Sequence, residues 1–246
     1  MAKNNTKRGV REFNLDEVYP NSPLIEVVCE IRFPIDIAIE CRRDEFYSKI
    51  KDKYPEILVP QMQPGKAMSL EPYRFENKDR SSGVMLAIDK FSFYEKKYEG
   101  HKKFTKEFKR LCKLLGETYS LAKLDRIGWR YINLIPFSRE DGTVPIHRFL
   151  TLSISSPKGI SDRLENVSMV FISKVSSGSI TTKVESVVRA DRQQEALVLD
   201  FDFAMTEKLY FPKLGDYIKI AHEHTRILFE NLITDEYRQY LRGETI

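Results

Sequence analysis

The tripeptide His222-Glu223-His224 is the part of the sequence most suggestive of metal chemistry. It lies in a stretch whose apolar residues recur at helical spacing, which predicts a helix from Lys213 to Leu232. Helical metal ligands must be three or four residues apart, whereas residues two apart point about 200° away from each other. The sequence therefore predicts no metal site and no cofactor, and we expect both histidines to be solvent-exposed or half-buried on the helix.

A second chemistry-bearing motif is Asp200-Phe201-Asp202, because two carboxylates at i and i+2 on a strand project to the same side. Nucleotide-transfer enzymes hold Mg²⁺ with such pairs. Here, however, the surrounding residues alternate between apolar and polar, which is the ordinary pattern of a strand with one buried face. We interpret the two aspartates as the solvent-facing side of a strand.

Other catalytic signatures are missing from the sequence. It contains no complete phosphate-binding loop, dinucleotide fingerprint or nucleophile elbow. The chain has four histidines, but none is part of a local nucleophile–base motif. Because catalytic triads assemble from distant positions, the missing motifs do not exclude an enzyme. They favour a protein that is not an enzyme, and we predict no catalytic residues.

The positive charge of the chain is concentrated in one segment. The 40 Lys and Arg residues barely exceed the 36 Asp and Glu residues, but the excess falls within 101–150. A predicted helix there carries basic residues opposite its apolar stripe, and Lys96 and Lys97 lie just before it. We call this set the basic strip: Lys96, Lys97, Lys102, Lys103, Lys106, Lys109, Arg110 and Lys113. Such a strip either contacts phosphates of nucleic acid, contacts a protein partner, or is simply the solvated side of an amphipathic helix.

The first half of the chain alternates between strands and helices after a polar tail at 1–18. The predicted elements are a strand at 24–33, a helix at 42–54, a strand at 83–94, a helix at 102–119 and a strand at 124–135. Four prolines and little periodicity at 55–82 predict an irregular connection. The pattern predicts a strand-helix-strand-helix-strand layer.

The second half predicts an antiparallel meander. Its four extended segments are 150–156, 167–175, 179–188 and 196–205, and a long helix at 213–232 and a short one at 235–241 follow. We therefore predict an α+β fold in which the long helix packs on the meander. The halves, 19–137 and 144–246, are predicted to be two subdomains.

The compartment follows from what the sequence lacks. It has no apolar run of about 18 residues, which a membrane-spanning helix would need. Its first 15 residues carry charges but no apolar stretch, unlike a secretory signal. The three cysteines are an odd number with long gaps, which favours reduced, buried thiols over disulfides. We predict a cytoplasmic protein that does not associate with membranes.

Three stretches of the sequence resemble a known family. They are YPNSPLIEVVCEIRF at 19–33, GWRYIN at 128–133, and His222 followed by Phe229-Glu230 and ITDE at 233–236. The family is a sporadically distributed group of uncharacterised prokaryotic proteins of about 250 residues, in which Leu is expected where Trp129 stands here. The resemblance implies the patchy inheritance of bacterial accessory or defence cassettes, and it supplies no activity.

The second of these stretches contains a candidate polar site. Arg130 and Asn133 fall on opposite faces of one predicted strand, so they do not point at one ligand. Arg130 shares its face with apolar residues, which predicts a partly buried guanidinium that needs a carboxylate partner. Glu26 and Glu30 are the candidate partners. A structural ion pair and a ligand site both remain open.

Our leading hypothesis is a non-enzymatic cytosolic recognition or adaptor protein that binds a macromolecular partner, most simply another protein. The first alternative is a nucleic-acid-binding protein that uses the basic segment 96–113. The second is a small-ligand binder or an enzyme of unfamiliar type, with a pocket between the meander and the helix at 213–232. The sequence leaves the identity of the partner and homo-oligomer formation open.

Overall fold

A computed structural model of the protein describes residues 13–59, 72–154, 163–189, 194–207 and 209–244. Part of the predicted polar tail (1–12) and the end of a predicted strand (155–156) lie outside these ranges. The strands are β1 Leu24–Arg32, β2 Glu56–Leu58, β3 Tyr73–Glu76, β4 Ser82–Ala87, β5 Lys90–Glu95, β6 Lys123–Leu124, β7 Arg126–Pro136, β8 Ser168–Val175, β9 Gly178–Val188, β10 Glu195–Met205 and β11 Leu209–Tyr210. The α-helices are α1 Ala38–Cys41, α2 Arg43–Ile50, α3 His101–Tyr119, α4 Ile146–Phe149, α5 Leu214–Leu232 and α6 Asp235–Arg242.

Nine of these strands form one antiparallel sheet, with the order β2-β3-β4-β5-β1-β7-β10-β9-β8. The predicted α+β class is confirmed. The sheet joins strands from both halves of the chain, because β1 pairs with β5 and β7, and β7 pairs with β10. The short strands β6 and β11 pair with each other outside this sheet.

One face of the sheet forms the core of the protein. Along β1, Val27, Cys29 and Ile31 are completely buried, while the residues between them are partly exposed. Cys29 lies opposite Phe93 of β5 and Trp129 of β7 in the sheet register, and both aromatic side chains are buried. The alternation of apolar and polar residues in the sequence therefore predicts correctly which face of each central strand is buried.

Helix α3 confirms the predicted amphipathic helix. Its apolar stripe is buried, with Phe104, Phe108 and Leu111 at most 1% exposed. The helix begins after Gly100, whose φ of 113° is a conformation that residues with a Cβ rarely adopt. Its first turn is thereby placed next to the sheet, and His101 enters the interior.

Helix α5 is the long C-terminal helix. It packs on β10, a strand of the predicted meander, and also on β7, which belongs to the first half of the chain. Phe229 of α5 meets Phe201 of β10 edge to face, with ring centroids 6.2 Å apart. Helix α6 follows and begins at Thr234, whose hydroxyl accepts a hydrogen bond from the backbone N–H of Tyr237 at 3.1 Å. This N-cap stabilises the first turn of α6.

Two predicted strands differ from the structure. The apolar run 83–94 is a hairpin, because the chain reverses at Ile88-Asp89 between β4 and β5. The segment 150–154 contains no strand, and Leu150 makes only an isolated bridge with Ile233. Among its described residues, the second half therefore contributes three of the four predicted meander strands, namely β8, β9 and β10. The region 55–82, predicted to be irregular, contains β2 and β3.

Within the described ranges, none of the helices is sufficiently long and apolar to cross a membrane.

Candidate functional site

A small polar cavity lies where β7, α3 and α5 meet, beneath residues 15–24. Its volume is about 40 Å³, which is space for two or three water molecules. We call it the histidine pocket, and its principal polar side chains are Tyr98, His101, Tyr131, Asn133 and His222. The position in which we predicted a pocket, between the meander and α5, holds a different cavity of about 640 Å³, which is lined by the β8–β9 turn, the end of β10 and α5.

The three stretches that carry the family resemblance converge at this pocket. The first contributes Tyr19 and Leu24, the second contributes Tyr131 and Asn133, and the third contributes His222. These stretches are far apart in the sequence, so their spacing gave no indication that they meet. The pocket also contains Tyr98 and His101, which lie outside these three stretches.

A chain of hydrogen bonds connects the polar groups of the pocket. Nε2 of His222 lies 3.1 Å from the carbonyl oxygen of Leu15, which only accepts, so this nitrogen carries the proton. In a neutral imidazole Nδ1 is then an acceptor, and it lies 2.8 Å from the Tyr131 hydroxyl, which donates to it. The Tyr131 oxygen lies 3.2 Å from the Tyr98 hydroxyl. The three side chains thereby fix the position of the backbone at Leu15.

The two histidines of the pocket stack face to face. The ring centroids of His101 and His222 are 3.7 Å apart and the planes differ by 8°. Burial lowers the pKa of His101 to about 4 and that of His222 to about 3, so both rings are neutral near pH 7. His222 is 5% exposed, which corrects our expectation of an exposed or half-buried side chain. It is buried because its side of α5 faces α3 and β7.

The histidine pocket is poorly arranged for acid–base catalysis. Burial raises the pKa of Tyr131 well above its ordinary value and that of Tyr98 to about 12, so both hydroxyls stay protonated. A general acid or base works best when its pKa lies near the working pH. His222 also has both ring nitrogens occupied by hydrogen bonds.

The second histidine of the metal-like tripeptide lies elsewhere. His224 stacks on Phe203 of β10, with ring centroids 5.8 Å apart, whereas His222 stacks on His101. The two imidazoles therefore have different neighbours. No group of three or more potential metal-ligating side chains occurs in the part of the chain that the structure describes.

Residues 13–23 cover the pocket, and we call them the N-terminal strap. Besides the Leu15 carbonyl, several side chains hold the strap to the helices, among them Asn21, which donates to the Tyr240 carbonyl oxygen of α6 at 2.8 Å. Asp16 lies 2.9 Å from Lys102 of α3, and Glu17 accepts two hydrogen bonds from Arg242 of α6 at 2.8 and 3.0 Å. Tyr19 donates to Glu230 of α5 at 2.8 Å.

Glu230 is the centre of a buried ion cluster under the strap. Its side chain is 2% exposed and accepts from the Tyr19 hydroxyl and from Nε of Arg238 at 3.0 Å. Nη2 of Arg226 lies 2.7 Å from Glu230, although its N–H is not directed at the carboxylate. Nε and Nη2 of Arg226 are buried without a hydrogen-bond acceptor among the described residues. Glu230 therefore lies between two guanidinium groups, of which Arg238 also pairs with Asp235.

The candidate polar site on β7 divides between the two faces of the sheet. Asn133 is buried, lines the histidine pocket and donates to the Leu199 carbonyl oxygen at 3.1 Å. Arg130 lies on the opposite face and binds Asp200 of β10 through two hydrogen bonds of 2.8 and 2.5 Å. Its partner is thus Asp200, not Glu26 or Glu30.

Glu30 forms ion pairs with two other arginines on the same sheet face as Arg130, which we call the outer face. It lies 3.0 Å from Arg126 and 2.8 Å from Arg32. Arg126 is also 3.5 Å from Asp202. The motif Asp200-Phe201-Asp202 therefore presents both carboxylates to arginines of β7, and its charge is already compensated.

The basic strip is exposed along its whole length. Much of its charge is paired with nearby carboxylates, however. The pairs are Lys97–Asp79, Lys102–Asp16, Lys103–Glu99, Arg110–Glu107 and Lys113–Glu117. Lys96, Lys106 and Lys109 have no carboxylate partner within the described ranges. A phosphate backbone would therefore meet fewer free cations than the sequence suggests.

Strand β8 is an exposed edge of the sheet. No strand pairs with its outer side in the described part of the chain. Six of its eight residues are exposed, including Val170 at 59%, Phe171 at 41% and Ile172 at 74%. The opposite edge, β2, has only three residues and begins with Glu56. Short, charged edge strands resist pairing with other chains, and long apolar ones invite it.

No protein-family model and no curated protein matches this chain. The fold and the site define its class structurally, as an α+β protein with one nine-stranded antiparallel sheet and a buried histidine pocket.

Proposed function

We propose that this chain is a non-enzymatic recognition protein that binds a protein partner by strand addition at β8. The observation that carries the proposal is the exposure of Val170, Phe171 and Ile172 on an unpaired strand edge. An extended segment added to such an edge gains backbone hydrogen bonds, and its alternate side chains contact those of the edge strand.

The outer face of β8 indicates which segment would fit. Val170 and Ile172 lie on the sheet face away from the helices, because they pair with Lys183 and Thr181 of β9. Phe171 lies on the helix face, opposite Thr182. A partner strand with apolar residues on both faces would cover all three side chains and remove them from water.

The two alternatives have less support. A nucleic-acid-binding surface would rely on Lys96, Lys106 and Lys109, since the other cations of the basic strip are paired within the chain. A small-ligand site in the histidine pocket would have to fit in about 40 Å³ or displace the N-terminal strap. A larger cavity of about 640 Å³ lies between the β8–β9 turn and α5, but its two charged side chains, Lys174 and Glu207, are both exposed. General acid–base catalysis works best with a group whose pKa lies near the working pH, and neither His101 nor His222 in the histidine pocket is such a group.

The family resemblance supplies the setting of this proposal. If the chain belongs to a bacterial accessory or defence cassette, the partner is encoded in that cassette, either by a neighbouring gene or by the gene of this chain. A recognition role agrees with the histidine pocket, whose hydrogen bonds hold the N-terminal strap in place and offer no arrangement for catalysis.

The proposal is tested by affinity purification of the tagged chain from its native host, followed by identification of the retained proteins. We expect a neighbour-encoded protein or an untagged copy of this chain to be retained by the wild type and lost from Val170→Lys and Ile172→Lys. The matched control is Ile57→Lys on β2, where the isoleucine is 48% exposed. Equal retention by all four proteins would refute strand addition at β8.

A further inference from the structure

We infer that the strand added to β8 is β8 of a second copy of this chain, paired antiparallel about Phe171. The inference rests on the proposed strand addition and names its partner. A two-fold axis relates two copies through one surface, so each residue contact occurs twice. Two identical edge strands related by such an axis run antiparallel, which is the geometry of every pair in this sheet.

The sequence of β8 is self-complementary in this register. With Phe171 on the axis, Val170 of one copy lies opposite Ile172 of the other, and this contact is made twice. Lys174, which is the only charged residue of β8, lies opposite Ser168 of the other copy. No like charges meet, and each exposed aliphatic side chain faces another.

Neighbouring registers match less well. Centring the pair on Ile172 would place Val170 opposite Lys174, which puts an ammonium group against an aliphatic side chain. Centring it on Val170 would place Ile172 opposite Ser168, so that an apolar side chain meets a hydroxyl. The charge and apolar pattern therefore selects Phe171 as the centre.

Both faces of the joined strands would gain contacts. On the outer face, the four side chains of Val170 and Ile172 from the two copies would form one apolar group. On the helix face, the two Phe171 rings would lie directly across from each other, an aromatic cross-strand pair of the kind that stabilises sheets. The two nine-stranded sheets would continue into each other, and neither copy would keep β8 as a free edge.

The experiment measures the mass of the full chain by sedimentation equilibrium over a concentration series. We expect the wild type to be a dimer. Val170→Glu and Ile172→Lys should each weaken self-association by at least about 100-fold, because each places two charges opposite aliphatic side chains. The double variant Val170→Glu/Ile172→Lys should recover dimerisation, since each introduced carboxylate then faces an introduced ammonium group.

Two further variants show whether a loss of dimerisation comes from misfolding or from the loss of the strand pair. Val170→Thr/Ile172→Thr keeps strand-forming, neutral residues and should weaken the dimer by about tenfold. Ile57→Lys on β2 should leave the mass unchanged, and circular dichroism should show the same secondary structure in all variants.

The outcomes distinguish this inference from the proposed function. A monomeric wild type whose capture of another protein still depends on β8 overturns self-pairing and leaves strand addition intact. A dimer that is insensitive to every β8 variant also overturns self-pairing. If capture is equally insensitive, the proposed function fails with it. A double variant that stays monomeric overturns the register about Phe171.

Discussion

Replacing Glu230 by glutamine should destabilise the protein strongly, because this carboxylate neutralises a buried cluster. Glu230 is 2% exposed, accepts from Tyr19 and Arg238, and lies 2.7 Å from Arg226. The glutamine side chain has nearly the same shape but no charge, so buried Arg226 would lose its ion pair with Glu230, and Arg238 would keep only its pair with Asp235. Leaving a buried ion unpaired typically costs about 3–5 kcal/mol.

That free energy translates into a measurable shift of the melting temperature. For a chain of this length, 1 kcal/mol corresponds to about 2–4 °C, so Glu230→Gln should melt about 6–20 °C below the wild type. Differential scanning calorimetry measures this shift. The matched control is Glu223→Gln on the same helix, whose partner Lys219 is 3.9 Å away and largely exposed. An exposed pair of this kind is worth at most about 1 kcal/mol.

The reasoning also predicts coupling between partners. In a double-mutant cycle, Glu230→Gln and Arg238→Met should together cost less than the sum of their separate effects, by about 1 kcal/mol or more. The variant should also loosen the N-terminal strap, because Tyr19 loses its ionised acceptor, and hydrogen exchange at residues 15–19 should become faster. A melting temperature within about 2 °C of the wild type would refute the account of the cluster.

Three further predictions concern titration, thiols and the outer face. Burial holds the pKa of His222 near 3, below its ordinary 6.5, so the unfolded chain binds the proton more readily below pH 6.5. The free energy of unfolding should therefore be highest above pH 6.5 and fall with acidification, with this residue contributing a loss of up to about 2 kcal/mol at pH 5. Urea titrations at a series of pH values should show that the free energy of unfolding depends less on pH in His222→Gln than in the wild type. An identical pH dependence in the two proteins would contradict this. Of the three thiols, Cys41 is exposed and the others are buried, so Ellman's reagent should titrate one in the native protein and three after denaturation. Rapid reaction of a second thiol in the native protein would contradict the burial of Cys29 and Cys112 in the core. Arg130→Ala should cost about 1 kcal/mol in urea unfolding, because Asp200 loses a two-bond partner on a half-exposed face, and Arg130→Lys should recover part of it. An unchanged midpoint would show that the pair contributes nothing.

The amphipathic helices could be predicted from the sequence because each element carries its own signal. The apolar stripes of α3 and α5 repeat at helical spacing, and the observed bounds lie within one residue of the predictions. The strands β1, β7 and β10 were found for the same reason, since their alternation identifies a buried face. Local periodicity depends only on nearby residues.

Strand partners could not be predicted in this way. Leu150, Leu152 and Ile154 alternate like a strand, and the first two pack on the core, but the segment has no neighbour with which to form a ladder. In the run 83–94, the turn at Ile88-Asp89 interrupts an otherwise apolar stretch without a glycine or proline to mark it. The alternation of apolar and polar residues indicates which side of a strand is buried, but it does not indicate which strand is the hydrogen-bonding partner.

The histidine pocket was missed because it depends on tertiary packing. His222 lies four residues after Ile218, so it borders the apolar stripe of α5, and this position is the one available signal of its burial. Nothing in the sequence links it to His101 or Tyr131, which belong to other elements. Cys41 was wrongly expected to be buried, since it ends the short helix α1 and faces solvent.

The position of β1 has a consequence for how the chain acquires its structure. Val27 pairs with Tyr131, and Tyr131 pairs in turn with Phe201, so the middle of the sheet is assembled from segments that are synthesised far apart in time. Topologies dominated by such distant pairings fold on the scale of milliseconds to seconds. During translation, β7 must wait for β10 with one edge open, so we expect the nascent chain to engage chaperones before residue 205 leaves the ribosome.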